Sequence, residues 1–318
     1  MVTRADDATA YRVLVEGCGL LDRSERGKLA LTGSEAKAFL HGQITNDVEA
    51  LEPGTGCYAA FLTHKGKMLG DLRVLDAGDE LLLDCERVAL QELFNMIRRY
   101  KLGRDVELHK RTVESGLLSL IGPGARAAAG AEDLPDAEHA HRAAELAGAP
   151  VRLVVTDLGV DVLCDAADTG RVAAALRGAG AVDVEEADAE VRRVETGRPR
   201  YGVEIDDGVI PQEAGLNERA VSFTKGCYVG QETVARLFYR GKPNRHLRGL
   251  RLSGPAERGA ALRLGEREVG RLATVVTSPV HGTIALALVR REAEPGATLA
   301  VGAGEVSATV VGLPFAEA

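Results

Sequence analysis

Tryptophan is absent, and aromatic residues make up only 4% of the 318 residues. The core must therefore be assembled mainly from Leu, Val and Ala. Paired cysteines are missing as well. Cys18, Cys57, Cys85, Cys164 and Cys227 are scattered, odd in number and form no C-x-x-C, which argues against a disulfide framework or a structural zinc site. The seven histidines show no H-E-x-x-H or comparable metal spacing. No apolar run approaches the ~20 residues that span a bilayer. The opening MVTRADDATAYRVLVEG carries two adjacent Asp and lacks the apolar stretch of a signal peptide. The expectation is a cytoplasmic protein with neither metal site nor membrane anchor. A positive excess is lacking too: the net charge of -8 excludes a protein-wide nucleic-acid surface, which needs clustered cations.

What is present is a chain 45% hydrophobic, enough for two or three cores. Leu29–Leu31 reads as a strand end, and Thr32 or Ser34 as the cap of a helix reaching about His41, with Gly42 as its stop. Cys57–Thr63 and Met68–Leu75 read as strands joined by the turn His64-Lys65-Gly66-Lys67, and Leu81–Cys85 as a third. Residues 88–101 form a helical pattern with Leu90, Leu93, Phe94 and Ile97 on one face. The outline then recurs. LTGSEAKAFL (31–40) resembles LIGPGARAAA (120–129), and LLLDCERVALQELF (81–94) loosely resembles DVLCDAADTGRVAAAL (161–176). From about Arg245, runs such as LRGLRL, EVGRLATVVTS and GTIALALV alternate with Gly and Pro turns, the pattern of a small all-β barrel. The predicted class is α+β: two pseudo-repeated α+β lobes over 1–110 and 111–240, then a C-terminal β-barrel over 241–318.

The stretch Arg192–Leu250 is broken by many Gly and three Pro, so it either wanders over the surface or wraps a site. Glu195, Glu204 and Glu213 lie along it, with Tyr201 between. Carboxylates accept paired N–H donors from a pterin-like ring, and an aromatic ring stacks on its face; exposed Glu and a packed Tyr are the plainer alternative. Then comes Lys225-Gly226-Cys227-Tyr228-Val229-Gly230-Gln231-Glu232. The two glycines hold a tight path around Cys227, Lys225 favours a thiolate, and Glu232 leads into a helix. The alternative is a small buried cysteine in a turn.

K-G-C-Y-x-G-Q-E followed by T-V-A-R resembles the signature of the YgfZ family. R-x-E-x-G-x-P-x-Y-G, then Pro211-x-Glu213-Ala214-Gly215-Leu216, Thr45-Asn46-Asp47 and Gly66-Lys67-Met68-Leu69-Gly70-Asp71 resemble YgfZ proteins and their relatives, the aminomethyltransferases (T-proteins) of glycine cleavage. The resemblance implies a T-protein-like three-domain fold around a tetrahydrofolate pocket. The implied role is assembly, insertion or repair of iron–sulfur clusters, and through cluster enzymes support of tRNA modification. It implies a functional thiol at Cys227 with Lys225 and Asp71, and contacts to tetrahydrofolate or a one-carbon derivative from Asn46, Asp71, Glu195, Tyr201, Glu204, Glu213 and Arg236. Gly226, Tyr228, Gly230, Gln231 and Glu232 complete the motif. The implied partners are folate and iron–sulfur proteins or their assembly factors, and whether a substrate is turned over stays open. One departure matters: T-proteins carry paired acids where this chain has Gly70-Asp71, which weakens the alternative of folate-dependent aminomethyl or other one-carbon transfer. An alternative of another class is an RNA- or protein-binding module using Arg236, Arg240, Lys242, Arg245, Arg248 and Arg251, a run without an acid. The same run also reads as a solvated strand face, or as a grip on the polyglutamate tail of folate.

Overall fold

The computed structural model describes residues 7–316. The chain forms two compact units. One holds the residues up to Leu62 together with Leu69–Ala189 and Arg219–Val229; the other holds Thr63–Met68, Glu190–Glu218 and the chain from Gly230.

The first unit opens with helix α1 (Asp7–Glu16) and strand β1 (Gly19–Asp22). A first repeat follows as β2 (Gly27–Thr32), α2 (Ala36–His41), β3 (Gly56–Leu62), β4 (Met68–Asp76), β5 (Leu81–Cys85) and α3 (Leu90–Tyr100). The second runs β6 (Glu107–Lys110), β7 (Ser115–Ile121), α4 (Ala125–Ala129), β8 (His141–Leu146), β9 (Ala149–Val155), β10 (Gly159–Asp165) and α5 (Thr169–Gly178), before β11 (Val182–Asp183). The two sheets have matching orders, β3-β4-β5-β2-β6 and β8-β9-β10-β7-β1-β11. The duplication read from the sequence is therefore real, with a twist the sequence hides. The strand that leads the first repeat, β1, pairs antiparallel with β7 of the second, and β6, which leads the second, pairs antiparallel with β2 of the first.

Each repeat turns from strand to helix on a glycine with positive φ, Gly33 at 104° and Gly122 at 120°. A Cβ at Gly33 would lie 2.3 Å from the Asp105 carbonyl oxygen, and one at Gly122 would lie 2.5 Å from that of Gly17. Both carbonyls belong to the segment leading into an exchanged strand, so only glycine suits either turn. Neither Thr32 nor Ser34, the caps expected from the sequence, caps this helix. Glu35 precedes α2 without a side-chain cap bond. The Ser34 hydroxyl donates to Asp105 at 2.6 Å, and that of Thr32 pairs with the His109 ring at 2.8 Å.

Alternating Leu, Val and Ala fill the second sheet's core, with Leu118, Leu120, Val160 and Val162 packed on Val172 and Leu176 of α5. On the first sheet Leu93 and Ile97 of α3 are buried, while Leu90 and Phe94 are half-buried. The two sheets share a buried charge network. Arg73 on β4 donates to Asp84 on β5 and reaches Asp161 on β10 at 2.6 Å, Arg26 binds Asp84 at 2.8 Å, and the Ser119 hydroxyl donates to Asp161 at 2.6 Å. Burial alone would raise the Asp84 carboxyl, but the Arg26 and Arg73 guanidiniums hold it down to about 2.

Between the sheets and the barrel strands the chain forms α6 (Glu186–Glu195), α7 (Asn217–Ala220) and α8 (Gln231–Arg240). The barrel strands are β12 (Arg245–Leu252), β13 (Ala261–Leu264), β14 (Arg267–Arg271), β15 (Thr274–Ser278), β16 (Gly282–Arg290), β17 (Thr298–Val301) and β18 (Val306–Val311). They run in the order β12-β18-β17-β13-β14-β16-β15, and β12 also pairs with β16. That extra pairing closes six strands into a C-terminal barrel with β15 as an appendage. Its interior is aliphatic: Leu250, Leu262, Val269, Val289, Leu299 and Val310 are buried together.

Candidate functional site

Asp71 sits on β4, 6% exposed, and accepts a hydrogen bond from the Tyr58 hydroxyl of β3 at 2.6 Å. Burial pushes its carboxyl up to about 6. The nearby Glu86 also raises it, while the Tyr58 hydrogen bond and the Arg26 and Arg219 guanidiniums pull it down. A carboxyl that changes charge near neutrality is suited to exchanging a proton with an amine. Tyr58 is the site residue that sequence reading missed; the available signal was its place on the same predicted hairpin as Asp71.

The neighbouring Gly70 explains why only one acid stands here. A Cβ at position 70 would lie 2.5 Å from the Phe61 ring carbons and 2.7 Å from the Ala89 Cβ, and both residues are fully buried. We expect Gly70→Asp to destabilise the protein by ~3–5 kcal/mol, through overpacking and a buried unpaired charge, with no gain of transfer activity. A urea melt and a transfer assay on the purified variant check both.

The Thr45-Asn46-Asp47 and Lys225-Gly226-Cys227 motifs meet within the first unit. The Thr45 hydroxyl donates to the Ala220 carbonyl at 2.6 Å. The Asn46 amide donates to the carbonyls of Tyr58 at 2.8 Å and Arg219 at 3.3 Å. Asn46 thus ties backbone to backbone, and its amide is committed to that task. Lys225 does not turn to the Cys227 thiol as its place in the motif suggests. Only 8% of it is exposed, and its ammonium donates to the carbonyls of Ile44 and Asn46 at 2.8 Å each, and also to that of His41. Three carbonyls, one from the last residue of α2 and two from the loop that follows, saturate an ammonium's three donors, so Lys225 braces the end of that helix and its loop. Burial lowers it to about 8. The thiol its charge acts on is Cys57, half-buried on β3 and pushed by burial up to about 12. The Lys225 ammonium also lies 5.1 Å from the centroid of the buried Tyr228 ring. Cys227 is exposed; Cys18, Cys85 and Cys164 are buried. Gly226 is exposed, and Gly230 immediately precedes α8, on which Gln231 is half-buried and Glu232 and Arg236 are exposed.

The other carboxylates expected at a folate lie in the second unit and are engaged by its own side chains. Glu195 closes α6 and is 4% exposed; it pairs with Arg192 and accepts from the Ser278 hydroxyl at 2.6 Å. Glu204 accepts two Arg193 hydrogen bonds at 3.0 Å each, and Glu213 accepts two from Arg245 at 3.1 and 2.8 Å. Tyr201 is half-buried and bridges to Ile205. The basic run is not one surface. Arg245 is locked on Glu213, Arg248 is half-buried, and Arg251 donates to the Ala316 carbonyl at 2.8 Å, whereas Arg236, Arg240 and Lys242 are exposed.

Residues 5–225 match the family described as GCVT N-terminal domain. The chain belongs to this family. Among its relatives is a putative chloroplastic transferase of Arabidopsis thaliana, 28% identical over 98% of this chain and 74% of the relative. Another is an aminomethyltransferase of Rubrobacter xylanophilus, 29% identical over 93% of this chain and 82% of the relative. The crystal structure of the glycine cleavage system aminomethyltransferase T from Bartonella henselae superposes with a TM-score of 0.88 at 21% identity, covering all of this chain and 91% of that one. The GCVT-type fold is thus shown over the whole chain, C-terminal barrel included. Among the described residues no helix is long and apolar enough to cross a membrane.

Proposed function

We propose that this protein is a YgfZ-type factor that binds tetrahydrofolate or a one-carbon derivative. It acts in the cytoplasm in assembly, insertion or repair of iron–sulfur clusters, and so supports cluster enzymes, tRNA-modifying ones among them. The observation that carries this reading is the Lys225–Glu232 segment, which resembles the YgfZ signature and leaves Cys227 exposed. A lone cysteine does not hold a cluster, which usually needs about four protein thiolates, so Cys227 acts by brief transfer, thiol chemistry or partner contact. Membership of the GCVT family supports the folate part. Asp71 fits such a ligand chemically: a buried acid that titrates near pH 6 matches an amine-bearing heterocycle. Bound tetrahydrofolate supplies a ring amine that carries the one-carbon unit. Asp71 would hold or release a proton beside it, and Tyr58 would keep that carboxylate in place.

Calorimetry with tetrahydrofolate on the wild type and on Cys227→Ala tests both halves. The expected result is equal affinity in the two proteins, together with loss of cluster-enzyme activity in cells that carry only Cys227→Ala. Limited alkylation of the native protein should modify Cys227 first. Absence of tetrahydrofolate binding, or full cellular activity of Cys227→Ala, overturns the reading. The second reading, aminomethyl or other one-carbon transfer, is favoured by the Rubrobacter relative's name. Turnover with an aminomethyl-loaded carrier protein, at the rate of an authentic T-protein assayed beside it, would establish that reading instead.

A further inference from the structure

Arg219 lies on α7, half-buried, and makes no contact with Asp71 among the hydrogen bonds and ion pairs of the described residues. Its guanidinium is gripped by Glu138 through Nε to Oε2 at 3.1 Å and a second, closer contact from Nη2. A fork held in this way has little freedom to rotate. The held guanidinium lies over the Tyr58 ring, with Cζ 4.5 Å from the centroid. The hydroxyl of the same ring donates to Asp71 at 2.6 Å. The backbones are fixed as well, because the one Asn46 amide donates to the carbonyls of both Tyr58 and Arg219. Glu138, Arg219, Tyr58 and Asp71 thus form a chain in which each contact orients the next.

We propose that Arg219 is a positioning residue for Asp71, acting through the face of the Tyr58 ring. A cation over a phenol draws electron density from the ring, which makes the hydroxyl a stronger donor and favours the ionised form of the carboxyl that accepts from it. The placement also sets a limit. Burial holds the Asp71 proton affinity near neutrality against the pull of Arg219, whose guanidinium is paired with Glu138. The other charged groups facing Asp71 are Glu86, which opposes ionisation, and Arg26, which favours it. Arg26 is itself paired with Asp84 and Glu86. His139, beside Glu138 and buried, is driven down to about 4 by burial and by Arg73, so it adds no charge to the chain near neutral pH.

The proposal rests on Asp71 being the proton-exchanging group of the folate reading, and the test separates the two. The Asp71 carboxyl is titrated by carbon-13 NMR in the ligand-free full-length protein, while tetrahydrofolate affinity is measured separately. Arg219→Met should raise the Asp71 midpoint by ~0.5–1 pH unit. Glu138→Gln should move it the opposite way, by freeing the guanidinium charge. Arg219→Lys, which keeps a cation but not the fork, should restore part of the shift and serves as the second variant if Arg219→Met folds poorly. In a Tyr58→Phe background, Arg219→Met should lose most of its effect. An unchanged midpoint in Arg219→Met, or the same shift with and without the Tyr58 hydroxyl, overturns the proposal. A protein that shows the expected shifts yet fails to bind tetrahydrofolate overturns the folate reading and leaves the role of Arg219 standing.

Discussion

Asp71→Asn should be more stable than the wild type at pH 8 by ~1–3 kcal/mol while losing function by about a hundredfold or more. The gain follows from linkage. Burial raises the Asp71 carboxyl from its ordinary 3.8 to about 6, so the folded protein binds the proton more tightly than the unfolded chain. The stability this contributes is fully present below the unfolded pKa and is lost as pH rises through 6. Above that, the native state holds a buried carboxylate at a cost, and two pKa units correspond to ~3 kcal/mol. Asparagine has the same shape, accepts the same Tyr58 hydrogen bond and carries no charge, so it removes the cost. The advantage should shrink between pH 6 and pH 4 and vanish below, where Asp71 is protonated in both states. Chemical denaturation of both proteins across that range gives the curve. An advantage independent of pH would mean that packing, not ionisation, separates the two side chains. The functional loss follows because an amide cannot take or give a proton, and cellular activity of a cluster enzyme reads it out. A gain in stability with a loss of function at one residue is the mark of a site kept at a cost to the fold.

The strands were legible because alternation and turn residues specify them locally: the hairpin around His64–Lys67, Leu81–Cys85 and the barrel runs all lie where the pattern puts them. The exchange of β1 and β6 was not, because a four-residue strand carries no record of its partner; only the approach of Gly33 to Asp105, and of Gly122 to Gly17, marks it. Sequence gives proximity along the chain and so sets Lys225 beside Cys227, whereas the ammonium folds back on His41, Ile44 and Asn46. The Gly- and Pro-rich surroundings of Glu195 suggest a ligand loop, but EADAEVRRVE has acids in its first turn and Arg192 and Arg193 in its last. That is a helix pattern, and the Arg192–Glu195 spacing is a helical pair. The partners of Glu195, Glu204 and Glu213 all stood within or near the same stretch, as Arg192, Arg193 and Arg245. Carboxylates and arginines so interleaved pair with one another before they are offered to a ligand.

Glu204→Ala should therefore act on stability and not on the ligand. The Glu204 side chain is fully buried and Arg193 is 9% exposed. Its carboxylate accepts both guanidinium hydrogen bonds at 3.0 Å, one from the Arg200 backbone N–H at 2.9 Å, and one from the Thr274 hydroxyl of β15. Arg193 in turn donates to Thr274 at 3.2 Å and to Glu190 at 2.8 Å. Removing the carboxylate takes away one counter-ion of a buried guanidinium, leaving Glu190 as its ion-pair partner among the described residues, and removes the Glu204 acceptor of the Arg200 N–H. Breaking a buried pair on one side costs ~3–5 kcal/mol, which corresponds to a fall of ~6–20 °C in the melting of the second unit. The double variant Arg193→Met/Glu204→Leu should recover much of that loss, because replacing both charges by apolar groups removes the stranded ion. Tetrahydrofolate affinity of Glu204→Ala, measured well below its melting temperature, should match the wild type. If instead Glu204→Ala melts like the wild type and loses affinity tenfold or more, the carboxylate is a ligand contact and its arginine bridge is secondary. Differential scanning calorimetry beside titration calorimetry on one preparation separates the two outcomes.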